Sequence, residues 1–312
     1  MSDNRGSAKS LLVVLLVLLG GLGVVWTQRQ NIYDWSRLRD YSPSIGITQL
    51  ATDTTMNDTA RKIFYVQHPE LNDRDAFNQH CQGFGEHTIV LGCYAPLQGI
   101  YLFDVQDPRL TGVEQVTAAH EMLHAAYDRL SNNDRKHIDV LTQQVFEQQT
   151  DERLKNTIEA YRQRDPAVVP NELHSIIGTE VRKLPQELED YYSRYFANRA
   201  QIVGFADQYA GVITERRTQA DNLELEINGL KNEIDQLEKT LQEQQDDLEH
   251  DRAGITTQSQ ANAFNARVAA YNSYIHQLND LIARHNQLVD EYKANVVEQQ
   301  ELFKALDSRP TL

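Results

Sequence analysis

The last third of the chain has the most regular pattern of apolar and polar positions. Apolar residues recur at spacings of three and four in two runs, within residues 223–248 and 271–296. This period predicts coiled-coil helices, and the polar, glycine-containing stretch 253–257 predicts a turn between them. We therefore expect a long antiparallel coiled-coil helical hairpin over residues 206–307. The seam positions are Leu223, Ile227, Leu230, Ile234, Leu237, Leu241 and Leu248, then Tyr271, Ile275, Leu278, Ile282, His285, Val289, Tyr292 and Val296.

The pattern of residues 45–205 predicts an α+β domain in which helices outnumber strands. Residues 88–94 and 99–105 are rich in β-branched and aromatic residues and are separated by a four-residue turn, which predicts a β-hairpin. Val113 to Leu130 then has helical spacing without glycine or proline. Helical segments follow, with breaks at Asp165-Pro166 and Leu184-Pro185, where each proline favours a new helix start.

The N-terminus contains a continuous apolar run rather than a periodic pattern. Leu11 to Val25 contains no polar side chain, and Trp26 is a residue type that favours membrane interfaces. The run is short for a span and matches a signal-peptide core, but residues 21–23 are a poor cleavage site. We therefore expect a tail (1–9), an uncleaved transmembrane anchor (10–27) and a polar linker (28–44). The layout favours a single-pass membrane protein whose main body is extracytoplasmic.

Charge narrows the classes of partner. The net charge is -15, and the 30 Lys and Arg residues form no basic stripe, which argues against a nucleic-acid binder. Residues 221–251 contain eleven Asp or Glu against two lysines. The outer face of the hairpin is thus a solvated acidic surface, or a site for a protein partner with basic groups.

The two cysteines, Cys81 and Cys93, flank a stretch with three glycines that can fold back on itself. In an oxidising compartment they would form a disulfide; the alternative is two unrelated buried thiols. The absence of a CxxC pair argues against metal binding by these residues.

The chemistry of the chain centres on residues 117–126, which read TAAHEMLHAA. In a helix, His120 and His124 are one turn apart on the same side, so both imidazoles can bind one zinc ion. Glu121 is then placed to act as general base for a zinc-activated water. A buried helix has no other evident reason to carry two histidines and a glutamate.

This stretch resembles the HExxH pattern of the zincin metallopeptidases, and the strand at 99–105 resembles the edge strand that zincins place beside their active-site helix. The residues after His124 do not match the metzincin branch, so the third ligand is expected from a second helix. Asn171-Glu172-x-x-Ser175-x-x-Gly178 resembles the third-ligand helix of thermolysin-like gluzincins. That resemblance implies Glu172 as the ligand, although Ile176 stands where those enzymes have an aspartate.

Two other residues remain alternatives for the third ligand. Glu180 shares a helical face with apolar residues and so needs a partner, and His174 is a ligand or a donor to the transition-state oxyanion. Tyr161, Tyr191 and Tyr192 are further oxyanion donors, or amphipathic packing residues.

The favoured function is a zinc endopeptidase of the membrane-anchored bacterial gluzincin-like type, acting on peptide or protein substrates. One alternative is a coiled-coil scaffold or signalling protein with a non-catalytic zinc site, in which the hairpin binds a protein partner. A cell-wall peptide hydrolase with the same zinc chemistry is another.

Overall fold

The structure, a computed structural model, describes residues 27–81 and 90–309. These residues are predominantly helical and include one small three-stranded sheet, in agreement with the expected α+β class. The chain divides into two compact units. The first ends at Tyr209 and also includes the residues from Leu306 onward, and the second is Ala210–Ala305.

The elements follow one another in a largely helical order. They are α1 (27–38), α2 (Ile45–Asp53), α3 (Asp58–Val66), β1 (Glu70–Asn72), α4 (Arg74–His80), β2 (Gly92–Ala95), β3 (Gly99–Phe103), a 3-10 turn (Pro108–Leu110), α5 (Val113–Tyr127), α6 (Asn132–Glu147), α7 (Glu152–Arg164), α8 (Val169–Glu180), α9 (Gln186–Tyr192), α10 (Arg199–Arg252) and α11 (Gln258–Leu306).

The starts of several helices follow from polar caps and prolines. The Asn57 side chain accepts a hydrogen bond from the backbone N–H of Ala60 at the start of α3, and Ser131 caps α6 in the same way. Pro185 immediately precedes α9, and α7 ends at Arg164, just before Asp165-Pro166. The breaks predicted from the two prolines are therefore confirmed.

The sheet has the order β1-β3-β2. β2 and β3 form the predicted hairpin, antiparallel with Cys93 opposite Tyr101, while β1 pairs with β3 in parallel. β3 is therefore the central strand, and β1 and β2 are the two edge strands. The expectation that residues 99–105 form the edge strand is wrong, because the short strand β1 covers the other side of β3.

The first unit is built around the packing of α8 on α5. Leu123 of α5 and Ile177 of α8 are almost fully buried in one continuous hydrophobic core. A Cβ at Gly178 would lie 2.6 Å from both Leu123 Cδ1 and Tyr192 Cε1. Only glycine at this position lets the two helices approach so closely.

The segment expected to be a polar linker is instead partly a helix that packs on the first unit. Asp34 of α1 is only 2% exposed, and its two carboxylate oxygens accept hydrogen bonds from Arg129, each 3.0 Å long. Lys62 lies 3.2 Å from the same carboxylate. Burial raises the pKa of Asp34, but these cations outweigh burial and leave the pKa below its usual value. A buried carboxylate needs such partners, so α1 is fixed in place.

The expected single-pass membrane localisation, with an extracytoplasmic main body, requires correction. Within residues 27–81 and 90–309, no helix is both long enough and apolar enough to cross a membrane. The longest helices, α10 and α11, carry charged and amide side chains around a narrow apolar stripe. The anchor predicted at residues 10–27 lies, apart from Thr27, outside the described residues.

The second unit is the predicted helical hairpin. The two long helices are separated by residues 253–257, as expected, and every predicted seam residue is buried or half-buried. Ion pairs join the helices at both ends of the hairpin, Arg216 with Glu298 at 2.8 Å and Arg267 with Asp251. The unit is a two-helix antiparallel coiled coil.

Candidate metal centre

The HExxH stretch lies in the middle of α5, where the chain is helical from Val113 to Tyr127. The rings of His120 and His124 have centroids 4.6 Å apart and are nearly perpendicular. His124 and Glu121 are buried, and His120 is half-buried. The predicted side-by-side placement of the two imidazoles is therefore present.

Glu172 joins these two histidines from α8. Its carboxylate oxygens lie 3.5 Å from His120 Nε2 and 3.7 Å from His124 Nε2. One nitrogen from each histidine and one oxygen of Glu172 all lie within 4.8 Å of one another. Among the described residues, the structure thus brings together His120, His124 and Glu172 as a group that could hold a metal ion.

The two rival third ligands lie elsewhere. The Glu180 carboxylate is 2.7 Å from Arg153, which supplies the partner that a buried acid requires. His174 is fully buried, and its Nε2 is 2.8 Å from the Tyr191 hydroxyl. Burial lowers the pKa of His174 to about 3, so the ring is neutral. Neither residue joins the group.

The orientation of His124 is set by two residues of α8. His124 Nδ1 is 2.9 Å from Asn171 Oδ1 and 3.2 Å from Ser175 Oγ. Because an amide oxygen can only accept, Nδ1 carries the hydrogen, and Nε2 is the ring nitrogen that faces Glu172. Sequence reasoning treated Asn171 and Ser175 as motif residues only, although their spacing around Glu172 places all three on one helical face.

The donor set fits a metal ion. Glu172 Oε2 is buried and has no hydrogen-bond partner, although it lies near His120. Burial raises the pKa of Glu172, but the contacts with the two histidines more than offset burial, so the pKa is lowered and the group is a carboxylate. Two imidazoles and one carboxylate with convergent lone pairs are the ligands that zinc accepts in open, four-coordinate sites.

Glu121 lies beside this group, 6% exposed. Burial raises its pKa to about 7, with Glu172 adding to the rise, while His124 and the nearby Tyr94 backbone N–H oppose it. A Cβ on Gly92 would lie 2.8 Å from Glu121 Oε1 and 2.5 Å from Thr117 Cγ2. The glycine therefore lets β2 approach α5 closely enough for the backbone to contact Glu121, a feature that sequence reasoning missed.

Tyr161 of α7 completes the polar groups at the site. Its hydroxyl lies beside Glu172, and burial, followed by the charges of Glu172 and Glu121, raises the tyrosine pKa. Tyr192 is fully buried and donates to the backbone carbonyl of His174. Of the three tyrosines considered from sequence, Tyr161 is the one beside the donor set.

The two cysteines predicted to pair are joined by a disulfide, with a Cα–Cα distance of 5.9 Å. Cys93 is in β2, between Gly92 and Tyr94, so the bridge ties the end of α4 to the strand that contacts Glu121.

Comparison of the chain with protein-family models, with curated proteins and with solved structures finds no match. The resemblance to zincins therefore depends on the residues of α5 and α8 alone.

Proposed function

We propose that the chain is a zinc-dependent peptidase. The single observation that carries this proposal is the convergence of His120, His124 and Glu172 next to the buried carboxyl group of Glu121. A structural zinc site would not need a free general base beside its ligands, whereas hydrolysis does.

His120 and His124 through Nε2, together with the Glu172 carboxylate, are the groups that would hold the ion. Zinc bound there would supply Lewis acidity toward the scissile carbonyl and the attacking water. Glu121 accepts the proton of that water, and its pKa of about 7 suits a group that takes up and releases a proton near neutral pH. The Tyr161 hydroxyl, which lies beside Glu172, would donate to the oxyanion that develops on the carbonyl.

The substitution Glu121→Gln tests the proposal. It keeps the size and polarity of the side chain but removes the base, so we expect peptide cleavage to fall by about 10²- to 10⁴-fold. Metal content, measured by mass spectrometry of the purified protein, should stay at one zinc per chain. Glu152→Gln, an exposed change in the first turn of α7, is the matched control and should leave cleavage unchanged.

Removal of the metal by a chelator should abolish cleavage of a mixture of unstructured peptides, and added zinc should restore it. If the Glu121→Gln protein binds zinc and cleaves as fast as the wild type, the peptidase proposal is wrong.

The hairpin supports a second function. Ala210–Ala305 is a separate unit that contains none of the site residues, which suits an element that binds a protein partner. In that case the metal group would be structural and the protein would act as a scaffold. Loss of a binding partner on shortening the hairpin, without any cleavage by the wild type, would favour this alternative.

A further inference from the structure

A cavity of about 370 Å³ lies beside α5, within the first unit. Its walls include Tyr33 of α1, Tyr94 of β2, Leu97 of the β2–β3 turn, and Ala125 and Asp128 at the end of α5. The volume lies in the range of pockets that take small ligands or single side chains, about 300–1,000 Å³.

The cavity lies on the same stripe of α5 as Glu121. Glu121, Ala125 and Asp128 are spaced by four and three residues, so they share one helical face. Seven residues of helix correspond to about 10 Å, and an extended peptide advances about 3.3 Å per residue. A peptide with its scissile bond at Glu121 and its chain along this stripe would reach the cavity with a side chain two or three residues away.

The strand β2 connects the cavity to the site. A Cβ on Gly92 would lie 2.8 Å from Glu121 Oε1, and Tyr94, two residues further along the strand, lines the cavity. Because Tyr94 lies in the edge strand β2, the route from the base to the cavity follows this strand.

Several polar groups of the wall already have partners within the protein. Arg129 donates to both oxygens of buried Asp34, Gln30 donates to the same carboxylate, and Asp128 lies beside the Tyr94 hydroxyl. The wall also contains Arg29 and Gln67, and its apolar surface comes from Pro96, Leu97 and Ala125 together with the rings of Tyr33 and Tyr94. A side chain that packs on this apolar surface would be aromatic or long and aliphatic, because a charged group would lose solvation there.

Leu97 is unusual at the rim of this cavity. It has a φ of 66° and is 74% exposed, although it is a large apolar residue. A left-handed backbone is costly for a non-glycine residue, and such strain tends to persist where it has a use. The turn is held in place by the Gln98 carbonyl, which accepts a hydrogen bond from Arg37 at 2.9 Å.

We propose that this cavity is a specificity subsite of the peptidase, which binds an aromatic or long aliphatic side chain two or three residues from the cleaved bond, with Leu97 as a determining contact. This inference rests on the peptidase function proposed above.

The test uses the full-length, zinc-supplied protein and a mixture of peptides that vary at every position, with cleavage sites read by mass spectrometry. Leu97→Asn removes the apolar contact, and asparagine tolerates the left-handed conformation better than leucine does. We expect kcat/KM to fall by about tenfold for peptides with Phe, Tyr, Leu or Met at the selected position. Peptides with Ala there should change by less than about twofold, since they leave the cavity unfilled.

Ile45→Asn is the matched control, because Ile45 is also an exposed apolar residue, 91% exposed at the start of α2. It should leave the preference unchanged. Cleavage without a preference at this position, a preference for Asp or Glu, or a preference that Leu97→Asn leaves intact would overturn the inference while sparing the peptidase function. If the wild type cleaves no peptide in the mixture, the proposed function fails, and the subsite fails with it.

Discussion

At the scale of single residues, the geometry of the group formed by His120, His124 and Glu172 depends on neighbouring residues that contact these three side chains. His124 is oriented from α8 through Asn171, which accepts from Nδ1 and so leaves Nε2 free toward Glu172. Ser175 lies on the same side of the ring. Such supporting groups fix the tautomer of a ligating histidine and its direction.

Asn171→Ala should therefore weaken zinc binding while the ligands themselves remain. Loss of one supporting hydrogen bond typically lowers metal affinity by about 10- to 100-fold, and we expect an effect of this size. Competition with a chromophoric chelator measures it. Asn156→Ala, an exposed change in the middle of α7, should leave affinity unchanged. Equal affinities for the two variants would show that Asn171 does not set the geometry.

The sequence predicts the residues of the site that lie close together in the chain, but it does not decide which distant residue is the third ligand. His120, Glu121 and His124 lie within five residues, so helical period alone places them together. The choice among Glu172, His174 and Glu180 depended on packing across α5, α7 and α8. Glu180 was a reasonable rival because it was expected to be a buried acid without a partner, and that partner, Arg153, lies 27 positions earlier in the chain.

At the scale of elements, the site depends on how closely α8 approaches α5. Gly178 is the contact point, since its missing side chain leaves room for Leu123 and Tyr192. The same helix carries Glu172 and Asn171, so any outward movement of α8 would separate the third ligand from the two histidines.

Gly178→Ala tests this packing, with Gly204→Ala as its control. Both glycines are helical, so both variants gain the same helix preference, but a Cβ at Gly204 meets nothing within 4 Å. We expect the free energy of unfolding to be about 1–3 kcal/mol lower for Gly178→Ala than for Gly204→Ala, because of overpacking. Denaturant titration of both proteins measures the difference. If the two variants have nearly the same free energy of unfolding, α8 can move away from α5 without loss of stability.

The elements predicted from sequence were those with a strong apolar period or with a turn or proline at their ends. The seam of the coiled coil, the hairpin of β2 and β3, and the breaks at the prolines all follow from local pattern. β1 was missed because three residues carry no detectable period, and α1 was missed because its one buried residue, Asp34, is charged and so produces no apolar pattern. Both elements depend on partners that are distant in sequence.

At the scale of the whole molecule, the chemistry and the long hairpin belong to different units. The donor groups, the Glu121 carboxyl group and the cavity all lie in the unit that ends at Tyr209. The hairpin has its own cross-helix contacts near its base, including Asn295 with Gln219 at 3.1 Å and Arg216 with Glu298 at 2.8 Å. These contacts can hold a shorter hairpin together.

Replacing residues 231–283 by a short glycine-rich turn should therefore leave zinc affinity and cleavage of short peptides within about twofold of the wild type, because distant, independent sites act additively. Circular dichroism should confirm that helix content falls only by the residues removed. Cleavage of a folded protein substrate is the informative contrast, since a hairpin that binds the substrate would be needed there and not for short peptides. If cleavage of short peptides is lost while the fold and the bound zinc remain, the hairpin takes part in the chemistry, and the separation into two units does not describe the function.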